Sequence, residues 1–312
     1  MKLVALAGGV GASKLLLGLA KVLDPAELTI IANTGDDIEL HGLHVSPDLD
    51  IITYTLAGAV DERQGWGIAG DSFHTLQALG RYGRETWFNL GDRDLATHLH
   101  RTALLRAGRS LAEAAEAIRR AWGVAARILP ATNDRVESRV VTDGGTVHFQ
   151  EYLVRDRGAG AVRGIVLAGL EGARPAPGVL EAIADADGIV VCPSNPIISI
   201  GPILGVPGVR EAVRAARAPA LAVSPVVAGA SLKGPTDKML AGLGHDVSAL
   251  GVGRLYADIL DGFILDRQDA AHRPAIEAVG PRAWTAQTVM QTLEDKIALA
   301  NVVLSALEEL RG

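Results

Sequence analysis

The stretch Leu3-Val4-Ala5-Leu6-Ala7-Gly8-Gly9-Val10-Gly11-Ala12-Ser13-Lys14 decides how the chain reads. Its apolar start is too short for a helix and ends abruptly in glycines, the pattern of a buried strand followed by a tight turn. A helical pattern, Ser13–Leu23, comes next. Similar short apolar runs recur at Leu28–Ala32, Gly164–Ala168, Gly188–Cys192 and Ala220–Val223. Helical patterns at Gly178–Ala186 and Val206–Ala216 precede the last two. This alternation predicts an α/β fold, with a doubly wound, Rossmann-like, mostly parallel sheet.

The middle of the chain breaks the rhythm. Asp71–Tyr82, Leu95–Arg106 and Ser110–Trp122 read as helices, the last opened by Ser110 with Glu113 three residues on, as in a capping box. Arg139–Thr142 and Thr146–Gln150 flank Asp143-Gly144-Gly145 as a β-hairpin. Residues 1–70 and 160–312 therefore read as the nucleotide-binding core and 71–159 as a mostly helical insertion ending in a hairpin. Thr288–Leu310 reads as a long helix that either caps the sheet or packs in a homodimer.

Composition narrows the function. The 312 residues carry 36 acidic and 30 basic side chains, a net charge of -6, which lacks the broad positive field of a nucleic-acid binder. At 48% hydrophobic and 21% charged, the chain can bury a large core. The lone Cys192 excludes an intramolecular disulfide and any multi-cysteine metal site; at the end of a buried strand, it reads as an inert thiol. No apolar run reaches the roughly 18 residues of a membrane helix. The N-terminus lacks a signal-peptide pattern, so a cytoplasmic protein is expected.

In an open parallel sheet, the loops at the carboxyl ends of the strands share one rim, where ligands bind. Four polar loops fall there: Gly8 to Lys14, Asn33-Thr34-Gly35-Asp36-Asp37, Pro193-Ser194-Asn195-Pro196 and Ser224-Pro225. Glycines admit an anion close to backbone N–H groups at a helix start, and Lys14 offers a point charge. Neither the G-x-x-x-x-G-K-[ST] nor the G-x-G-x-x-G pattern is met, so the loop alone reads equally well as a tight turn. Asp36 and Asp37, with Asp48 and Asp50 close behind, match a Mg²⁺ site beside phosphates. Singly, they suit turns and helix caps just as well. The proline-flanked Ser194 and Asn195 are rigidly presented. In Gly91-Asp92-Arg93-Asp94, Arg93 reads as a capping ion pair or as a bidentate contact to a polar ring or phosphate. Trp66, Trp87 and Phe88 are either core or the walls of a flat pocket. His98 and His100, two apart, face different sides of a helix. H-E-x-x-H and G-x-S-x-G are both absent, and nothing signals covalent catalysis.

Taken in order, these segments resemble the 2-phospho-L-lactate transferase family of coenzyme F420 biosynthesis. The likeness runs through Gly8–Gly11, Asn33–Asp37, Ser46-Pro47-Asp48-Leu49-Asp50 with Tyr54-Thr55-Leu56, and Gly65-Trp66-Gly67. It continues through Trp87-Phe88, Leu90 to His98, His148–Tyr152, Pro193–Pro196 through Ile200–Leu204, and Ser224-Pro225. The resemblance implies a Mg²⁺-dependent transfer of a 2-phospho-L-lactyl or phosphoenolpyruvyl group. The donor would be guanosine diphosphate-linked. The acceptor would be the ribityl hydroxyl of the deazaflavin Fo, 7,8-didemethyl-8-hydroxy-5-deazariboflavin, and GMP would be released. It implies a homodimer and gives the residues roles. Gly8, Gly9, Val10, Gly11, Lys14, Asn33, Ser194 and Asn195 would hold the nucleotide, and Asp36, Asp37 and Asp48 the metal. Asp48 and Asp50 would be catalytic, one of them as general base. Asp50, Asn89, Asp92 and Arg93 would contact Fo, to whose site the insertion contributes.

Two rivals remain at this level. A related family of regulators, which bind UDP-N-acetylglucosamine without turnover, has a similar glycine loop. A dinucleotide oxidoreductase would use Asp36 or Asp37 on a ribose, but the glycine fingerprint it needs is broken.

Overall fold

The computed structural model describes residues 1–312. Seven parallel strands form the central sheet. Their order is Arg282–Ala286, Gly262–Asp266, Ala220–Val223, Gly188–Val191, Leu3–Ala7, Leu28–Ala32 and Arg127–Pro130. Leu3–Ala7 is central, with Leu3 opposite Leu28 on one side and Gly188 on the other. Its side chains alternate between two cores. Leu3, Ala5 and Ala7 pack with Leu15, Leu19, Val303 and Leu307, whereas Val4 and Leu6 pack with Val179, Ile183, Ile203 and Val213. Both faces are covered, which is why the strand is apolar throughout. Each leucine so buried contributes about 1.5–3 kcal/mol.

The chain reverses its winding direction across Leu3–Ala7, and the site described below lies at that crevice. The helix Gly9–Val22 follows directly and packs against the C-terminal helix Leu293–Arg311. A Cβ on Gly18 would lie 2.1 Å from the Lys296 carbonyl oxygen, so this close approach requires glycine. The C-terminal helix starts later than the pattern suggested, capped by Thr292 and Asp295. Its apolar residues Leu299, Val303 and Leu307 pack inside the chain's own core, so this helix caps the sheet.

Residues 71–159 hold the expected helices, His74–Arg81, Asp92–Arg106 and Leu111–Ala121, the last with its capping box formed. The hairpin is Glu137–Thr142 with Gly145–His148. The segment also supplies Arg127–Pro130 to the edge of the main sheet. Gly164–Ala168 departs from expectation. It pairs antiparallel with Glu137–Thr142 in a separate three-stranded sheet, and it is half-buried rather than central.

Candidate functional site

The loops after the strands converge as the topology requires. Gly8–Gly11, Asp36, Asp48, Pro193–Asn195, Ser224 and Thr288–Gln291 line one cavity of about 780 Å³. Tyr54, Phe88, Asn89, Asp94 and His98 wall it on the insertion side. This size suits a substrate of several rings.

Asp48 lies at the centre. Pro47 starts the helix Pro47–Leu56, and the first turn of that helix carries Asp48 and Asp50 inward. Asp48 Oδ1 accepts the Gly9 N–H at 2.7 Å, and Oδ2 accepts Asn33 Nδ2–H at 2.9 Å. The glycine loop therefore first serves a carboxylate of the protein itself, placed where the helix dipole favours negative charge. Burial nevertheless pushes the Asp48 carboxyl up to about 6, with the Asn33 and Gly9 bonds opposing the rise. A Cβ on Gly8 would lie 2.7 Å from Asp48 Oδ2 and 2.8 Å from Ser199 Cβ, so glycine here makes room for the acid. Gly8 N–H donates to Ser194 Oγ at 3.2 Å, tying the first loop to the third. Gly11 closes the same junction, and a Cβ there would sit 2.3 Å from the Pro193 carbonyl oxygen. Because both groups are main chain, Gly11→Ala is expected to force the loops apart. Urea unfolding should show a loss of about 1–3 kcal/mol, and an unchanged midpoint would contradict the tight junction.

Asp36 and Asp37 part company. Asp36 lines the cavity, and burial, reinforced by the Asp48 charge, holds its carboxyl well above the usual range. Its Oδ1 is buried without a partner. Asp37 does not line the cavity, and its Oδ2 accepts from Ser46 Oγ at 2.8 Å and lies 3.0 Å from His44 Nε2. No cluster of three or more acidic, His or Cys side chains forms a metal cage. Magnesium commonly takes only one or two carboxylates plus substrate phosphates. Asp36 and Asp37 each keep one unpartnered oxygen, Oδ1, but only Asp36 lines the cavity, so the Asp36 oxygen beside Asp48 fits that arrangement and Asp37 does not reach it.

Asp50 lines the cavity floor and is paired with Arg101, whose two terminal nitrogens reach its two oxygens. Arg101 is 1% exposed. Burial lifts the Asp50 carboxyl, and the Arg101 guanidinium and His98 oppose the rise. Arg101 Nη1 also lies 3.3 Å from His98 Nδ1, and His98 Nε2 lies 3.2 Å from Asp94 Oδ2. Tyr54 Oη donates to Asp94 Oδ1 at 2.7 Å. Burial raises Asp94, but the bonds from His98 and Tyr54 outweigh it and hold the carboxyl low. Asp94, His98 and Arg101 fall at i, i+4 and i+7 of one helix face. That spacing is visible in the sequence but was overlooked, because His98 was weighed only against exposed His100.

The other expected site residues are distributed unevenly. Lys14, Ser194, Asn195 and Asn89 line the cavity, as does Val10. Asn195 uses Oδ1 to accept the Ile197 and Ile198 N–H groups, fixing its own turn. Asn33 acts from behind, bonding Asp48, the Ile198 carbonyl and the Gly35 N–H. Asp92 caps the helix His74–Arg81 through the His74 and Thr75 N–H groups and Ser72. Arg93 is exposed, donates to the Ala69 carbonyl and does not line the cavity. Lys233, reached through the loop after Ser231, lines the cavity with no sequence signal to announce it.

A parallel α/β protein with buried carboxylates facing a glycine loop across a cavity of this size is built as a small-molecule enzyme. Comparison with known proteins agrees. The family model described as 2-phospho-L-lactate transferase CofD matches residues 3–298. A phosphoenolpyruvate transferase of Streptomyces griseus subsp. griseus is 45% identical, covering 100% of both chains. A 2-phospho-L-lactate transferase of Methanosarcina mazei is 38% identical over 97% of this chain and 100% of its own. The crystal structure of protein BH3568 from Bacillus halodurans superposes with a TM-score of 0.62 at 18% identity, covering 97% of this chain and 99% of that one; this likeness is of fold alone. The chain belongs to the 2-phospho-L-lactate transferase CofD family, and it is a transferase of the phosphoenolpyruvate/2-phospho-L-lactate kind.

Proposed function

We propose that the protein moves a phosphoenolpyruvyl or 2-phospho-L-lactyl group from a guanosine diphosphate-linked donor to the ribityl hydroxyl of Fo, releasing GMP on the way to coenzyme F420. Asp48 carries the reading. It is a buried carboxylate held by Gly9 and Asn33, raised to about 6 and facing a cavity large enough for both substrates. A base with that affinity is ionised at neutral pH yet still takes a proton readily. Asp48 accepts the proton of the acceptor hydroxyl as its oxygen bonds to phosphorus, and the bond from phosphorus to the GMP oxygen breaks. No covalent intermediate with the protein is needed.

Asp36, through its unpartnered Oδ1, would hold Mg²⁺ together with the donor's phosphates, leaving Asp48 to act as the base. The ion would neutralise the diphosphate and the charge on the leaving GMP. The glycine loop with Ser194 supports the nucleotide. Asn89, Phe88 and the Asp50–Arg101 pair face the acceptor, with Asp50 fixed as an anchor because its carboxylate is paired with the Arg101 guanidinium rather than with neutral donors alone.

The deciding experiment is a fluorescence titration of Fo into the purified protein, with and without Mg²⁺ and GDP. Saturable binding altered by GDP and Mg²⁺ is expected. Failure to bind Fo under all these conditions would overturn the acceptor assignment. Arg93→Ala in the same titration should leave Fo affinity within about twofold, because the side chain lies outside the cavity. A selective loss of Fo binding would show instead that Arg93 reaches the acceptor.

A further inference from the structure

Two ammonium groups stand at the glycine-loop end of the cavity with no carboxylate in direct contact. Lys14 Nζ donates to the Met290 carbonyl at 2.9 Å, and Lys233 Nζ donates to the Gln64 carbonyl at 2.9 Å. Neither lies within 4 Å of an acidic oxygen, whereas nearby Lys296 is 3.6 Å from Glu62. Both lysines, Gln64 and Met290 line the cavity. An ammonium carries three N–H donors, and each of these two spends only one on protein. Burial depresses Lys14, with Lys233 and Lys296 adding to it and Glu62 opposing, so an anion placed in the cavity against the spare N–H donors of both lysines is favoured.

Lys233 also bridges loops. Gly65 has φ +78, and a Cβ there would meet Lys233 Nζ at 2.7 Å and Val10 Cγ1 at 3.2 Å. Three segments thus meet at this point: the glycine loop, residues 61–67 and residues 231–236. Trp66 and Leu232, 37% and 52% exposed, stand on the two outer segments at the cavity wall.

We propose that Lys14 and Lys233 form a two-ammonium clamp for a phosphate of the donor, and that Lys233 straps residues 61–67 to residues 231–236 over that anion. This rests on the nucleotide-donor reading and deepens it, because it assigns Lys233 as a positioning residue for the diphosphate. The geometry gives the clamp a specificity. Ligands with a diphosphate engage it, and an uncharged nucleoside does not.

Calorimetric titration of GDP, guanosine and inorganic pyrophosphate, at low and high salt, tests the clamp on the full chain and on Lys233→Gln and Lys14→Gln. Lys233 is exposed on a loop, so Lys233→Gln should keep the fold, with an unchanged melting temperature as the control. The wild type is expected to bind GDP more tightly than guanosine and to lose that margin as salt rises. Lys233→Gln should weaken GDP and pyrophosphate by about tenfold or more, the cost of a charge-assisted contact, and leave guanosine unchanged. Equal GDP affinity in wild type and Lys233→Gln would overturn the clamp. So would an equal loss for GDP and guanosine, which would mark Lys233 as merely structural. If the wild type binds pyrophosphate but not GDP, with the Lys233 dependence intact, the guanosine donor fails and the clamp stands. If the wild type binds neither, the clamp fails too.

Discussion

Asp48→Asn lowers kcat by about 10²–10⁴, the usual worth of a positioned general base, while GDP binding survives. The substitution keeps the shape of the side chain and its position on the helix. Its amide oxygen can still accept the Gly9 N–H. On the other side, the new amide nitrogen faces Asn33 Nδ2, and Asn33 cannot turn round because its Oδ1 holds the Gly35 N–H. That donor–donor encounter costs about 1–3 kcal/mol. Removing a buried negative charge beside Asp36 works in the opposite sense, because the Asp48 charge raises the proton affinity of Asp36. The protein should therefore fold and melt close to the wild type, and the loss should appear in the chemical step. Rapid-quench measurement of Fo consumption with saturating donor reads kcat directly, and a variant keeping more than about a tenth of it would remove Asp48 as the base. Asp50→Asn provides the contrast. With both its oxygens on Arg101, its loss should fall on stability and on the KM for the acceptor before it falls on kcat.

The sequence was informative where chemistry depends on strand ends and silent where it depends on side-chain partners. Leu3–Ala7, Leu28–Ala32, Gly188–Cys192 and Ala220–Val223 are recognisable because strands buried on both faces must be continuously apolar. Their following loops then had to share a rim, which brought Gly8, Asp36, Asp48 and Ser194 to one cavity. Gly164–Ala168 has the same composition but another fate, since an apolar run reports burial and not the strand it will pair with. Gly262–Asp266, buried throughout, was missed as well as the two edge strands: only three apolar residues precede its closing carboxylate, Arg127–Pro130 offers a similarly short run closed by proline, and Arg282–Ala286 alternates exposed and buried residues. Carboxylates that look alike in the chain also diverge. Asp36 and Asp37 each keep an unpartnered Oδ1, but Asp36 lines the cavity, whereas Asp37, next to it, stays outside and is bonded through Oδ2 to Ser46 and His44. Nothing in Asn33–Asp37 distinguishes the two, because the difference lies in residues brought alongside from Leu43–Val45 and beyond.

Arg101→Met destabilises the protein by about 3–5 kcal/mol, the cost of stranding a buried charge. Methionine matches the length of the arginine stem, so the effect isolates the guanidinium rather than a cavity. Asp50 would lose both its charge partners on that helix turn, because Arg101 Nη1 also orients His98 through its Nδ1. Burial already lifts Asp50, and Arg101 is the largest influence holding it down. In the variant the folded-state pKa therefore rises further above that of the unfolded chain. A carboxyl raised in the folded state binds its proton more tightly there, so stability falls as pH climbs from the unfolded value toward the folded one. The deficit of Arg101→Met should be greatest above that folded-state pKa and should shrink as pH falls through it, levelling off where Asp50 is protonated in both folded proteins, since the unfolded chains titrate alike at about 3.9. Urea unfolding of wild type and variant across that range measures it. The double variant Asp50→Asn with Arg101→Met should recover much of the loss, since no charge remains to be stranded. A single variant as stable as the wild type, or a deficit independent of pH, would mean that Asp50 is not held ionised by Arg101, and that the acceptor-side wall of the cavity is organised by Asp94 and Tyr54 instead.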